Sequence, residues 1–235
     1  MAPTYTSGNS YAGTQSFEGK WAGTAFFPEN TLKYFDFYFK GKQSENTGYM
    51  PNELLFEALT TNSPDIKVLD VERRNLDSET MGAIINCLLG NTQVTELKIA
   101  GNASFWSEQP DDLGNALAAV LSEKNNITTV DIANNDIQEQ CVGKIMEALK
   151  TNTKVKTLNM RDNFSRGRGA DIADMLDTNK TLTSLNLNVN QLEDKDCELV
   201  LAAVDRSKTL KYFSAYNNSA VSKETRKKLR GFNKL

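Results

Sequence analysis

Through most of the chain the apolar residues fall in a recurring line, L-x-x-L-x-L-x-x-N, followed by a stretch in which they return every three or four positions. The line is plainest in Leu182-Thr-Ser-Leu-Asn-Leu-Asn-Val-Asn190. Versions of it begin at Val94, Ile127, Val155 and Leu210 and end at Asn102, Asn135, Asn163 and Asn218. The middle anchors Leu97, Val130, Leu158, Leu185 and Phe213 are 33, 28, 27 and 28 residues apart. Alternation of Leu185 and Leu187 with Ser184, Asn186 and Asn188 predicts a short strand with one buried and one open face. The stretches between predict helices over 78–89, 113–123, 139–150, 169–177 and 195–204. Leu113, Leu117, Val120 and Leu121 form one buried stripe, and Val142, Ile145, Met146 and Leu149 another.

A strand and a helix repeated at a fixed period in the twenties define a leucine-rich-repeat solenoid, an α/β fold. Stacking such units places a parallel sheet on the concave side, helices on the convex side and one apolar core between. The Asn closing each line sits where the chain leaves the strand, and a buried amide there can pair backbone groups left open by the turn. Asn62, Asn91, Asn125, Asn152 and Asn179 punctuate the helix-to-strand turns in the same regular way.

The ends of the array are less regular. Residues 1–30 mix Gly, Ser and Thr with aromatics, and 12 of the chain's 20 aromatic residues fall within the first 50 positions. That composition argues for packing, either as an N-terminal cap of the solenoid or as an aromatic arm that binds a partner. Residues 30–39 read as the first strand of the array, because Leu32-Lys-Tyr-Phe35 is repeated as Leu210-Lys-Tyr-Phe213. A polar loop, 40–48, and a helix over 52–61 follow. The next strand is expected over 66–71. Its turn should differ locally, since Arg74 takes the Asn position and Asn75 comes one residue late. The long 33-residue interval carries an insertion after Asn102, in which Phe105 and Trp106 either anchor a partner or fold back over the core. Residues 221–235 read as a basic C-terminal helix, with Ser222 as N-cap, Gly231 at its end, and Leu229 and Phe232 over the last repeat. Lys223, Arg226, Lys227, Lys228 and Arg230 make its surface basic. The chain thus divides into an N-terminal cap or arm (1–30), the solenoid (31–220) and the basic helix (221–235).

Composition narrows the function. A net charge of -3 and a pI near 5.2 give no bulk attraction to nucleic acid. No apolar run approaches the length of a membrane span. The start of the chain lacks the pattern of a signal peptide, so a cytoplasmic location is expected. Absence of histidine removes histidine-based triads, general bases and metal ligands. Cys141 and Cys197 fill nearly the same slot in two repeats and read as small core residues. Arg166-Gly-Arg-Gly169 is glycine-rich but matches no nucleotide-binding fingerprint. The concave columns are small, polar and of mixed sign, without a carboxylate pair and base or a metal cluster. A non-enzymatic, monomeric interaction module without cofactor is expected.

The repeats and their turns, such as Lys150-Thr-Asn-Thr-Lys-Val-Lys-Thr-Leu-Asn159, resemble the ribonuclease-inhibitor-like class of leucine-rich repeats. Together with helix ends such as Ala148-Leu-Lys-Thr-Asn152 and Met175-Leu-Asp-Thr-Asn179, they look most like the C-terminal repeat domain of tropomodulin and leiomodin, over residues 52–235. This resemblance implies binding to the actin pointed end and association with the cytoskeleton. Lys227, Lys228 and Arg230 would then supply charge, and Tyr212 and Tyr216 apolar contact. Two features depart from the family pattern: some 50 aromatic-rich residues replace its long N-terminal region, and the 33-residue repeat has no counterpart in it. Two other readings stay open. One is a scaffold for a non-actin protein, using the concave face and the Phe105–Trp106 loop. The other is a GTPase-activating repeat protein that presents Arg161 in place of histidine chemistry.

Overall fold

The computed structural model describes residues 37–40, 48–50, 52–74, 76–102 and 112–231. Six short strands, β3 (Val68–Asp70), β4 (Glu96–Lys98), β5 (Thr129–Asp131), β6 (Thr157–Asn159), β7 (Ser184–Asn186) and β8 (Tyr212–Ser214), run parallel in sequence order. In every neighbouring pair the middle residues stand opposite each other, from Leu69 and Leu97 to Leu185 and Phe213. Leu69, Leu97, Val130, Leu158 and Leu185 are buried, and each contributes on the order of 1.5–3 kcal/mol. Their strand neighbours Ser184 and Asn186, or Thr129 and Asp131, face outward and are half-buried.

Helices α2 (Ser78–Asn86), α3 (Asp112–Ser122), α4 (Glu139–Thr151), α5 (Gly169–Thr178) and α6 (Asp194–Arg206) each follow a strand and cover the other side of the core, while α1 (Asn52–Thr60) precedes β3. The stripes expected on α3 and α4 are buried. α2 is shorter than its apolar pattern implies. Beyond Asn86, the N–H groups of Cys87, Leu88 and Leu89 turn to carbonyls three residues back, which tightens the last turn before Gly90. Beyond the last repeat, α7 (Lys223–Gly231) packs beside α6.

The Asn that ends each line forms a ladder through the core edge. Asn163 Oδ1 accepts from the N–H of Ile137 at 3.0 Å and of Asn135 at 3.3 Å, while its Nδ2 donates to the carbonyls of Ile132 at 2.9 Å and Met160 at 3.1 Å. Asn102 and Asn218 serve the repeats before them in the same manner. At the helix-to-strand turns a second ladder is built by Asn91, Asn152 and Asn179. Each donates to a carbonyl of the preceding repeat and caps two N–H groups of its own turn.

Two expectations require correction. Residues 30–39 were expected to form a repeat strand. Their described part belongs instead to β1 (Phe37–Lys40), which is antiparallel to both β2 (Gly48–Met50) and β3. β1 and β2 are joined by residues 41–47 alone, too short for a crossover, so the segment returns as a hairpin that covers the N-terminal sheet edge. The loop expected through Gly48 therefore ends in a strand. The turn at Arg74 also departs less than expected. Arg73 has φ 53, as Gly101, Asn134, Asp162, Val189 and Asn217 have positive φ at the same place in their repeats. The N–H of Arg74 donates to Asn102 Oδ1 at 2.9 Å, so the amide of the next repeat completes this turn. Residues 1–30, Leu32–Phe35, Asn75, Phe105, Trp106 and Phe232 lie outside the described residues.

Candidate functional site: the concave face and the C-terminal end

The parallel register lays the outward residues in three columns. Glu96, Thr129, Thr157, Ser184 and Tyr212 form one, and Lys98, Asp131, Asn159, Asn186 and Ser214 the next. Four residues beyond the first column lie Ala100, Ala133, Arg161, Asn188 and Tyr216, whose carbonyls are taken up in succession by the preceding repeats. Much of the polar lining is already occupied. The side chains of Asp70, Asp131, Asn159 and Asn186 each accept the N–H two residues on, which turns the chain out of the strand. Asn159 Nδ2 also donates to Asp131 Oδ2 at 3.0 Å. At the N-terminal end burial, reinforced by Asp70 and Asp131, pushes the Glu72 carboxyl up, with Lys98 and Arg73 opposing.

The expected site residues do not gather in one place. Arg161 is exposed on the third column, and its N–H is held by Asn159 Oδ1. Tyr212 and Tyr216 stand in the last repeat at 59% and 37% exposure. The backbone of Tyr216 is fixed: its N–H donates to Asn188 Oδ1, and its carbonyl accepts from Val189. Lys227, Lys228 and Arg230 are exposed on α7. That helix is seated by Val221, Thr225 and Leu229, four residues apart and all buried. Lys228 pairs with Glu224 at 3.1 Å, and this carboxylate holds its ammonium above the usual lysine value.

Two residues that the sequence reading did not single out fix the geometry of this end. Asp194, the first residue of α6, accepts the N–H of Ser222 at 2.9 Å and so ties the start of α7 to the array. The Thr225 hydroxyl, with the Ser222 N–H, holds the Asp194 carboxyl below the ordinary range. Ser222 Oγ in turn accepts from the N–H of Thr225, as an N-cap does. Asp196 is buried and accepts from the N–H groups of Gly167, Gly169 and Glu193, each at 3.0 Å. The glycines of Arg166-Gly-Arg-Gly169 are therefore turned toward a carboxylate of the next repeat, and a Cβ on Gly169 would lie 2.4 Å from Asp196 Cα. The capping-box spacing from Glu193 to Asp196 was the available signal.

No group of three or more His, Cys, Asp or Glu side chains among the described residues is placed to hold a metal. Cys87, Cys141 and Cys197 are buried thiols joined in no disulfide, and burial pushes Cys197 up to about 12. No helix among the described residues is long and apolar enough to cross a membrane.

The repeated strand, helix and asparagine ladder build the fold of a leucine-rich-repeat solenoid, and the Leucine Rich repeat family model matches residues 178–201. The chain's relatives include NACHT, LRR and PYD domains-containing protein 13 of Homo sapiens, 30% identical over 119 residues, covering 50% of this chain and 11% of that protein. Leiomodin-2 of Mus musculus is 28% identical over 136 residues, covering 57% of this chain and 25% of the relative. Tropomodulin-4 of Bos taurus is 32% identical over 103 residues, covering 43% and 30% respectively. The chain thus spans less than a third of the length of each of these relatives. Among solved structures, that of leiomodin-1 actin-binding site 2 aligns with a TM-score of 0.48 and 17% identity, over 76% of this chain and 85% of that one.

Proposed function

We propose that this chain is a non-enzymatic protein-interaction module, cytoplasmic and associated with the cytoskeleton, that binds actin as the tropomodulin and leiomodin repeat domains do. The observation that carries this reading is the sequence likeness of the repeats to leiomodin-2 and tropomodulin-4. The C-terminal end supplies the contact: Tyr212 and Tyr216 offer apolar area with a polar tip, and Lys227, Lys228 and Arg230 offer charge. Co-sedimentation with filamentous actin, together with capture of monomeric actin, tests it. Binding that weakens on reversing the charges of Lys227 and Arg230 supports the role. Binding unchanged by that reversal rules it out for α7.

A second reading is favoured by the match to a relative of another kind, NACHT, LRR and PYD domains-containing protein 13. On that reading the array is a general scaffold whose concave face, with Arg161 and the segment holding Phe105 and Trp106, takes a non-actin protein. Loss of a captured partner on Trp106→Ala, with the melting temperature unchanged, supports the scaffold. Unchanged capture counts against it.

A further inference from the structure

Charge and exposed apolar surface are distributed unevenly along the array. Three large apolar side chains are exposed among the described residues, namely Leu199, Tyr212 and Tyr216. Leu199 lies on α6, whereas Tyr212 and Tyr216 share the concave side of the last repeat, separated by at most about 13 Å of extended chain. The five equivalents of Tyr212 along its column are Val68, Glu96, Thr129, Thr157 and Ser184, none of them aromatic. Over residues 207–231 there are seven Lys or Arg and one acidic residue, Glu224, in a chain whose net charge is -3.

Some cations of the array body are paired across neighbouring repeats. There Lys150 bridges Glu147 and Asp174, Arg166 pairs with Glu193 and Arg206 with Asp177, so neighbouring helices neutralise one another. Lys208 and Lys211, at the entry to β8, and Lys227 and Arg230 on α7 are exposed and enter no ion pair among the described residues. Aromatic side chains on a fixed backbone, flanked by uncompensated cations, are the composition of an interface centre with a charged rim. The cations raise the rate of encounter with an anionic surface, while the tyrosines provide the desolvated contact.

We propose that the last repeat docks an acidic, extended segment of a partner protein. The segment lies along β8, with apolar side chains on Tyr212 and Tyr216 and carboxylates toward Lys208 and Lys211. This deepens the interaction reading above but does not require that the partner be actin. Nucleic acid also suits tyrosines and cations, but it fits this surface less well. A continuous phosphate backbone leaving the last repeat along the concave face would meet the cations Arg161 and Lys98 but also the more numerous carboxylates Asp131, Glu96, Glu72 and Asp70, which disfavour it by repulsion.

The test uses the full chain and a fluorescein-labelled dodecapeptide of alternating leucine and acidic residues, read by fluorescence anisotropy. A peptide with glutamine in place of each acidic residue and a labelled single-stranded oligonucleotide serve as comparisons. The expected result is saturable binding of the acidic peptide that is at least tenfold tighter than that of its glutamine counterpart and weakens with salt. Tyr212→Ala and the double variant Lys208→Glu, Lys211→Glu should each weaken it tenfold or more. Both variants alter exposed side chains, and unchanged circular dichroism melting would show that the fold is retained. Three results would overturn the proposal: no acidic-peptide binding at millimolar concentration, affinity untouched by both variants, or tighter binding of the oligonucleotide. Failure of actin binding, by contrast, bears only on the preceding reading.

Discussion

Replacing Asn163 by alanine removes five hydrogen bonds at once, two accepted and three donated, the longest at 3.4 Å to the Arg161 carbonyl. The carbonyl of Met160 retains a partner, because Asn190 Nδ2 also donates to it at 2.8 Å. The N–H groups of Asn135 and Ile137 are buried, and the substitution removes the acceptor each uses. An orphaned buried donor costs about 1–3 kcal/mol, so the two together predict a loss of about 2–6 kcal/mol. That is a large fraction of the 5–15 kcal/mol typical of a folded domain. Asn126→Ala is the matched control. Asn126 is exposed, and its Nδ2 donates to the Thr92 carbonyl at 2.8 Å at the surface, where water can replace the bond, so the change should cost less than about 1 kcal/mol. Urea unfolding followed by circular dichroism reads both, with a shifted midpoint and unchanged slope. A loss below about 1 kcal/mol for Asn163→Ala would refute the assignment of the asparagine ladder as the element that pairs the turn backbone.

Three further outcomes follow from particular residues. Val189 is β-branched yet has φ 58, where the equivalent positions hold Asn134 and Asn217, so Val189→Asn should stabilise the fold by about 1 kcal/mol. In thermal melts this is a rise of about 2–4 °C, and no rise would contradict it. Gly169→Ala drives a Cβ against the Asp196 backbone and should cost about 2–3 kcal/mol in urea unfolding. Gly167→Ala has nothing within 4 Å of the added carbon and meets only its positive φ, so it should cost about 1 kcal/mol. Equal costs would show that the Asp196 contact is unimportant. The carboxyl of Asp194 is held below its ordinary value by the Thr225 hydroxyl and the Ser222 N–H. Its contribution is therefore present above the ordinary carboxylate value and is lost as the pH falls below it. NMR signals of α7 should shift toward those of the Asp194→Asn variant over that acid range and not between neutral pH and pH 5.

Much of the fold was legible because each repeat states the same physics again. The anchors Leu97, Val130, Leu158 and Leu185 are apolar and in register, and the asparagines recur where the turns need an amide. The direction of β1 was not legible from its letters. Four residues matching Leu210–Phe213 say nothing of chain direction; the short connection makes β1 antiparallel to β2, and α1 carries the chain from β2 to β3, which pairs antiparallel to the other side of β1. The end of α2 also escaped, since the apolar run through Leu88 and Leu89 continues into tight turns that bury the same side chains. The surface was harder. That Tyr212 and Tyr216 are exposed follows from their place on β8, which among the described residues is followed by α7 and pairs with no strand beyond it. The seat of α7 depends on Asp194, which sequence pattern alone does not distinguish from any other acidic residue at a helix start.

The central functional claim is tested most directly by pointed-end elongation of actin filaments whose barbed ends are blocked, with the full chain titrated in. The account predicts slower elongation in proportion to added protein, relieved by Lys227→Glu together with Arg230→Glu. Elongation unchanged at saturating protein, with no co-sedimentation on filaments, would contradict it and leave a repeat scaffold for another partner.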